Sequence, residues 1–534
     1  MILGGFWAPD ATTLQFTAPE LLLVATVACV LLAAVALGRA PKTLTGIAIA
    51  GVLVSAAAAW TQLGSHAGPV ELFVTDTAPG VMIADRLAAF FRVFVLLFLA
   101  AILAIWPMFD ARRAPAEFLT LLLCSAVGMS LMSSATNLIV MILAIEMASL
   151  PSYALVAFDR RSRIAAEAGI KYALFGAICA GLTLYGASLL YGITGSLHLP
   201  TIAERISDGG RDLAATPLLA VALLCTFVGV GFKISAVPLH FWCPDAFQGA
   251  SLPIATWLSV ASKAAGLVLL LRLVGLMGGA DGFDYRMNVL PGIAWTVAVV
   301  AALTCTFANL AAFHQTNVRR LLAYSSIAHA GYMLCAGAIV APGGSAEALS
   351  ALLQYLVIYL FMNLGAFTAL GLVASDSGSE ELDAFRGLGW RDPPLAAALT
   401  LCLVSLIGLP PLGGFIAKWW LIWALSDAAS SNAGGLTTVL WTLVFVVVLN
   451  TALSLFYYAR IIRDMYLRGD REAARPLSAP LAGKLLVQGC AVALLLTGVL
   501  TIGPLKRNAD AVAAASVGRA PSPSAAAVAG NDDH

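Results

Sequence analysis

The amino-acid sequence predicts an all-α integral membrane protein, and two observations carry this prediction. Apolar residues make up 60% of the 534 residues and charged residues make up 11%, which is about half the charged share of soluble domains. Apolar runs of about eighteen or more residues recur from Leu21 to Ile502, the length that a hydrocarbon core of about 30 Å requires of a helix. These runs are too long for the strands of a membrane barrel, so they are predicted to be helices.

The hydropathy pattern predicts about fourteen spanning helices joined by short connections. The spans are expected to begin near Pro19, Leu44, Ala84, Glu117, Leu138, Ala165, Leu213, Leu252, Pro291, Leu321, Ala348, Pro394, Gly435 and Lys484. No connection is long enough to hold a soluble domain. The small, polar tail over residues 504–534 is predicted to be disordered and to carry no long amphipathic helix.

The distribution of basic residues predicts the orientation of the chain. Lysine and arginine are concentrated in the odd-numbered loops between the spans, for example at Arg160, Arg319 and Arg463. By the positive-inside rule these loops face the cytoplasm, and both termini are expected on the opposite, periplasmic side.

Charge and cysteine content exclude two classes of function. A formal net charge of +1 provides no basic face or arm for nucleic acid. The nine cysteines form no CxxC or CxxxC pair, so neither a structural metal nor an iron–sulfur cluster is expected.

Lys263 lies near the middle of the eighth predicted span, where a lysine costs about 2.5–3.5 kcal/mol to insert. Burial disfavours the charged ammonium and so favours release of its proton, which indicates a proton site. The alternative is a structural lysine that is hydrogen-bonded to Ser259, Ser262 or a backbone carbonyl.

Glu146 lies in the middle of the fifth span, and Pro151 is expected to bend the same helix. A buried glutamate can take up a proton or neutralise a nearby lysine, and Lys233 in the seventh span is the candidate partner. A purely structural Glu–Lys pair is the alternative.

The seventh and twelfth spans are both predicted to be broken near the midplane. Lys233 precedes Pro238 in the seventh, and Lys418 follows Pro411 and two glycines in the twelfth. Such breaks expose backbone ends to water beside each lysine. Breaks at corresponding places in two halves of a chain indicate an inverted repeat with an ion path at the midplane.

Four further ionisable residues fall within or near the spans. His240 and His329 are candidate proton relays, with ordinary hydrogen-bonded core histidines as the equal alternative. Arg92 and Lys171 are weaker candidates, because each is close enough to the end of a span for its side chain to reach the interface.

Several motifs in order resemble one family closely. They are KISAVPLHFWCPDAFQGASLPIATWLSVASKAAG, RRLLAYSSIAHAGYML, YLVIYLFMNLGAF, GLPPLGGFIAKWWL and LNTALSLFYYARIIRDMY. These segments resemble subunit N of the proton-pumping NADH:quinone oxidoreductase, respiratory complex I, over about residues 117–470. One departure is Cys243, where the family pattern has threonine, and this position is expected to touch no proton site.

The resemblance implies an organisation of the chain and a role for each candidate residue. It implies helices 1–3 in residues 1–116, two inverted five-helix repeats in residues 117–277 and 291–468, and helix 14 in residues 484–503. It makes Glu146 and Lys233 the ion pair of a first half-channel, Lys263 the central relay and Lys418 the lysine of a second half-channel.

The resemblance also implies what the chain does not do itself. NADH, FMN, iron–sulfur clusters and quinone are expected to react in partner subunits of the membrane and peripheral arms, while this chain moves protons across the bacterial inner membrane and binds no cofactor. Two alternatives remain: a subunit of a multisubunit cation/proton antiporter, and a scaffold subunit that tolerates loss of the lysines.

Overall fold

The structure is a computed structural model that describes residues 10–38, 40–64, 69–75, 79–109, 114–209, 216–277, 289–340, 346–431, 435–469, 475–499 and 502–517. The described part is almost entirely helical. Its helices in chain order are α1 (Ala11–Phe16), α2 (Ala18–Leu37), α3 (Pro41–Gly64), α4 (Arg86–Phe109), α5 (Pro115–Met132), α6 (Leu138–Val156), α7 (Arg163–Thr194), α8 (Leu199–Asp208), α9 (Pro217–Ile234), α10 (Trp242–Gly249), α11 (Leu252–Trp257), α12 (Lys263–Met277), α13 (Val289–Phe313), α14 (Val318–Val340), α15 (Ala346–Ser377), α16 (Leu388–Arg391), α17 (Pro393–Ile407), α18 (Gly413–Ser431), α19 (Gly435–Leu467), α20 (Leu481–Val499) and α21 (Ile502–Val517).

Thirteen helices in the described ranges are long and apolar enough to cross a membrane. The remaining predicted span, the twelfth, is the interrupted pair α17 and α18. Each predicted start lies within four residues of an observed helix start. The prediction of an all-α membrane protein with about fourteen spans is therefore confirmed.

A few short elements complete the described structure. A two-stranded antiparallel hairpin, β1 (Val70–Leu72) and β2 (Met82–Ala84), lies between α3 and α4. A 3-10 turn at Leu382–Phe385 follows α15. A π turn at Leu258–Ser262 joins α11 to α12, so that α11, the π turn and α12 form one span with the π turn immediately before Lys263. Such turns are frequent at functional sites, and the sequence pattern did not indicate this one.

Both predicted breaks are present. α9 ends at Ile234, where Ser235 adopts a left-handed conformation with φ 65°, and the chain resumes as α10. α17 ends at Ile407, where Gly408 has φ 87°, and α18 starts at Gly413. The missing donors of the prolines and the permissive backbone of Gly408 explain why these spans stop inside the bundle.

The N-terminal helices are joined by a buried ion pair that the sequence did not indicate. Arg92 is 1% exposed, and its Nε donates to Glu20 Oε1 at 2.7 Å. Arg92 also donates to Gln62 Oε1 at 3.2 Å and to Ser134 Oγ at 3.0 Å, while Ser130 Oγ donates to Glu20 Oε1 at 2.6 Å. The prediction that Arg92 reaches the interface is therefore wrong, because a carboxylate on α2 satisfies it inside the bundle.

The prediction of disorder from residue 504 is wrong for residues 504–517, which belong to α21. This segment is rich in alanine, which has the highest helix propensity. Side-chain contacts also pack α21 against the rest of the bundle. Ser350 Oγ donates to Asp510 Oδ1 at 2.6 Å, and Lys506 Nζ lies 3.8 Å from the ring centroid of Trp420. Residues 518–534 lie outside the described residues.

Candidate functional site

Three lysines are buried in the interior of the helix bundle. Lys233 and Lys263 are 0% exposed and Lys418 is 3% exposed. Each lies beside an irregularity of its helix: Lys233 in the last turn of α9, Lys263 just after the π turn, and Lys418 in the second turn of α18. Burial of a lysine is unfavourable, so the contacts of each ammonium decide what it can do.

Lys233 is hydrogen-bonded to a side chain of α6. Its Nζ donates to Ser149 Oγ at 3.0 Å. Glu146 lies about one turn earlier on α6, is half-buried, and is no closer than the 4.0 Å limit for an ion pair with Lys233. Ser149 rather than Glu146 is thus the hydrogen-bond partner of the ammonium, and the pairing of Glu146 with Lys233 in a half-channel stays a prediction. The two charges still interact electrostatically through the interior.

A small cavity lies beside Glu146. Its volume is about 10 Å³, and Glu146, Thr183 and Phe232 are among the residues that line it. This is close to the space that one water molecule occupies. The carboxylate therefore borders a space for water between α6, α7 and α9, next to the helix that carries Lys233.

Lys263 has a different kind of partner. Its Nζ lies 3.6 Å from Cys243 Sγ on α10 and 4.9 Å from the ring centroid of Phe247. Neither predicted serine partner holds it, because Ser262 Oγ donates to the carbonyl oxygen of Lys233 at 3.2 Å and Ser259 Oγ donates to that of Thr256 at 2.7 Å. The prediction that Cys243 touches no proton site is wrong, because its thiol contacts Lys263, the predicted central relay. The break in the seventh span lets α10 start in an orientation that allows this contact.

Lys418 is held by backbone groups that the break exposes. Its Nζ donates to the carbonyl oxygens of Ile407 at 2.9 Å and Leu406 at 3.4 Å, and lies 4.6 Å from the ring centroid of Tyr332. The last carbonyls of a helix have no partner within the helix and carry partial negative charge. The end of α17 therefore stabilises the ammonium of Lys418, as the predicted break implies.

His329 lies in a cluster of tyrosines on α14 and α15. It is buried, and its Nδ1 is 2.8 Å from Tyr355 Oη. Its ring centroid lies 5.6 Å from that of Tyr332, which contacts Lys418, and 5.2 Å from that of Tyr359. Tyr359 Oη in turn donates to the carbonyl oxygen of Ser259, in the π turn before Lys263, at 3.3 Å. Sequence reasoning missed these tyrosines, because spacing along the chain does not show that α14 and α15 bring them together.

His240 is placed differently. It lies in the break between α9 and α10, and its buried Nδ1 has no hydrogen-bond partner. Its ring packs against Phe241 and Phe307, with centroids 4.5 Å and 4.7 Å away. These contacts do not join it to any of the three lysines, so its role as a relay stays a prediction.

A charged cavity opens at the end of the bundle where α4 and α15 end and α11 and α14 begin. It has a volume of about 450 Å³, and its lining includes Asp159, Gln248, Arg319 and Glu380. Arg319 and Glu380 form an ion pair at its wall. Within the described residues, no cluster of three or more His, Cys, Asp or Glu side chains is placed to hold a metal ion.

Buried lysines beside interrupted helices define the class: a polytopic helical membrane protein of the kind that moves ions through a path near the midplane. The chain belongs to the NADH:quinone oxidoreductase/Mrp antiporter transmembrane family, whose sequence profile matches residues 135–447. It is 39% identical over 506 residues to NADH-quinone oxidoreductase subunit N 2 of Sorangium cellulosum (strain So ce56), covering 91% of this chain and 94% of that protein. The resemblance read from the motifs is confirmed.

Two solved structures agree with this assignment. A chain of respiratory complex I from Thermus thermophilus with bound aureothin is 31% identical, has a TM-score of 0.72, and covers 91% of this chain and 98% of its own length. A chain of the Mrp complex from Dietzia sp. DQ12-45-1b has a TM-score of 0.77 at 21% identity, covering 94% and 98% of the two chains. The second likeness concerns the fold alone, whereas the first joins fold and sequence.

Proposed function

We propose that this chain moves protons across the membrane as the N-type membrane-arm subunit of a respiratory NADH:quinone oxidoreductase. Its relative from Sorangium cellulosum carries the name of that subunit, and the solved chain from Thermus thermophilus is part of respiratory complex I. The chain is thus one subunit of a multisubunit complex. Oxidation of NADH, reduction of quinone, and the FMN and iron–sulfur clusters that connect them are assigned to the partner subunits.

The observation that carries the proposal is a series of ionisable groups in the interior of the helix bundle, of which Glu146 is half-buried and the others are buried. Glu146, Lys233, Lys263, His329 and Lys418 follow one another from α6 to α18. Ser262 connects the backbone at Lys233 to the helix of Lys263, and the tyrosines around His329 lead on to Lys418. Intramembrane ionisable residues are retained where ions or protons move.

In the proposed step, charge at one end of the series controls protonation further along it. A charge change at Glu146 alters the electrostatic field at Lys233 and then at Lys263. Lys263 releases a proton as its N–H bond breaks, and the proton passes through the tyrosine cluster at His329 to Lys418. Work against a membrane potential of 100 mV is about 2.3 kcal/mol for each charge, which Coulomb interactions across a few ångströms of protein interior can supply.

The orientation of the chain completes the proposal. The charged cavity lies at the end of the bundle that carries Arg160, Arg319 and Arg463, and this end is assigned to the cytoplasm. Both termini then face the periplasm of a bacterial inner membrane. Single cysteines placed in the Arg319 loop should be labelled only from the cytoplasmic side, and labelling from outside intact cells would contradict the orientation.

Proton pumping by the whole complex in vesicles tests the proposal. Lys263→Met should leave the complex assembled yet abolish most pumping that depends on this subunit, because the series loses its central group. Lys42→Met is the matched control, since Lys42 is exposed at the start of α3, and it should pump normally. Normal pumping by Lys263→Met at normal complex levels would favour a scaffold role instead.

The remaining alternative is a subunit of a cation/proton antiporter of the Mrp type, which shares the fold. The identity to subunit N proteins favours the oxidoreductase, because 39% over most of the chain exceeds the 21% to the Mrp chain. Sodium dependence separates the two. NADH-driven proton uptake by vesicles should be unchanged when sodium is replaced by choline, and strict dependence on sodium would support the antiporter.

A further inference from the structure

The three buried lysines differ in whether their hydrogen-bond partner can itself ionise. Lys233 donates to a serine hydroxyl and Lys418 donates to backbone carbonyls. Neither a carbonyl nor a serine hydroxyl exchanges a proton near neutral pH, whereas a thiol does. Of the three, Lys263 alone contacts such a group, the Cys243 thiol at 3.6 Å.

We infer that Cys243 and Lys263 act as one proton-exchanging pair in this chain, an inference that rests on the proposed function. In one state the pair is ammonium and thiolate, and in the other it is amine and thiol. The transfer breaks an N–H bond and forms an S–H bond, and no electrons are exchanged. Both states have no net charge, so the pair can shift its proton inside the bundle without exposing an isolated ion to the low dielectric.

The position of the thiol is fixed by the fold around it. Cys243 lies in the first turn of α10 and is 0% exposed. Its backbone N–H donates to the carbonyl oxygen of His240 at 2.9 Å. The neighbouring Trp242 donates from Nε1 to the carbonyl oxygen of Phe232 at 3.1 Å, and its ring stacks on Tyr172 with centroids 4.1 Å apart. These contacts fix the backbone that carries Cys243 beside Lys263.

The surroundings of the pair favour a local exchange. The hydroxyls of Tyr172 on α7 and Tyr359 on α15 interact electrostatically with the thiol, and Ser235 from the break and Ser326 from α14 lie beside it. Ser235 Oγ is buried beside the thiol, so a hydroxyl that can donate or accept a hydrogen bond lies next to the pair.

Among the described residues, no carboxylate competes with the thiol for Lys263. In the described part of the chain, no aspartate or glutamate forms an ion pair with Lys263 within 4.0 Å. Glu146 interacts with Lys233 instead, and Asp245 on α10 pairs with Lys171 and Arg320. The thiol is therefore the one acidic group in hydrogen-bond contact with this lysine.

The pair predicts a specific effect of Cys243→Ser on the pH profile of pumping. Serine keeps a hydrogen-bond acceptor but cannot supply a negative charge, so the ammonium of Lys263 is held less tightly. The alkaline limb of the profile should move to lower pH by about one unit or more, as expected for loss of a charge within 4 Å. Cys402→Ser is the control, because Cys402 is buried against Cys490 and Gly365, and it should leave the profile unchanged.

Infrared spectroscopy of the intact complex tests the pair without relying on pumping. The spectrum of the parent complex minus that of Cys243→Ser isolates the S–H stretch of Cys243. In the Lys263→Met background this band should gain intensity, because no amine remains to take the thiol proton. A pH profile unaltered by Cys243→Ser would overturn the inference, and so would a full S–H band that Lys263→Met leaves unchanged. Failure of the proposed function is recognised separately, by normal pumping in Lys263→Met alone.

Discussion

The buried cations of the N-terminal helices and those of the core differ in their partners. Arg92 contacts the carboxylate of Glu20 at 2.7 Å and two further side-chain oxygens. Among the core lysines, Lys233 donates to a serine hydroxyl, Lys263 contacts a thiol, and Lys418 donates to backbone carbonyls. A charge in direct contact with a carboxylate is fixed and structural, whereas a buried lysine without one can give up its proton. The comparison separates the cation that holds helices together from the cations that we assign to transport.

The largest effect on stability is expected from breaking the N-terminal pair. Arg92→Met leaves the Glu20 carboxylate buried without its counter-charge, which costs about 3–5 kcal/mol. The amount of assembled complex should fall sharply, as measured by native gels of solubilised membranes. The double replacement Glu20→Gln with Arg92→Met should recover part of the loss, because no unpaired charge remains. A double variant no more stable than Arg92→Met would show that the charge pair is not what joins these helices.

A smaller effect is expected at the break beside Lys418. Gly408 has φ 87°, and a Cβ at this position would lie 2.9 Å from Lys418 Cδ. Gly408→Ala therefore combines backbone strain, about 1–3 kcal/mol, with displacement of the lysine side chain, and pumping should fall at nearly normal assembly. Gly378→Ala is the matched control, because Gly378 also has a positive φ, +69°, but nothing lies within 4 Å of its Cβ position. Equal pumping in the two variants would mean that the position of Lys418 does not matter.

The smallest effects are expected at Lys233, because both Ser149 and Glu146 stabilise its ammonium. Ser149→Ala removes the hydrogen bond at 3.0 Å, and Glu146→Gln removes a charge that acts from beyond contact distance. Each should lower pumping in vesicles modestly, by about threefold to tenfold, which corresponds to the free energy of one typical hydrogen bond. The double variant should lose less pumping, expressed as a free energy, than the sum of the two single losses, since both residues act on the same ammonium. Strictly additive losses would show that Glu146 and Ser149 act independently.

The sequence predicted the spans, the two breaks and the burial of Lys233, Lys263 and Lys418, because each rests on local chemistry. Long apolar runs, prolines with glycines, and a charge inside an apolar run are visible without knowing which helices touch. The hydrogen bond from Lys233 to Ser149 was not predicted, because it depends on side-chain placement across two helices. Cys243 and the tyrosines around His329 were missed for the same reason, since their meeting is decided by packing. The helix α21 was missed because its stability comes from docking to Ser350 and Trp420 rather than from a long apolar run.

A reciprocal exchange of the two kinds of cation tests the central claim most directly. Arginine keeps its charge but does not release a proton at physiological pH, so Lys263→Arg should assemble and still lose most of the pumping that depends on this subunit. Arg92→Lys keeps a cation beside Glu20 and should pump normally once assembled. The measurement is the ratio of protons moved to quinone reduced in vesicles, normalised to assembled complex. A normal ratio in Lys263→Arg would contradict the account, because it would show that the buried lysine does not need to exchange its proton.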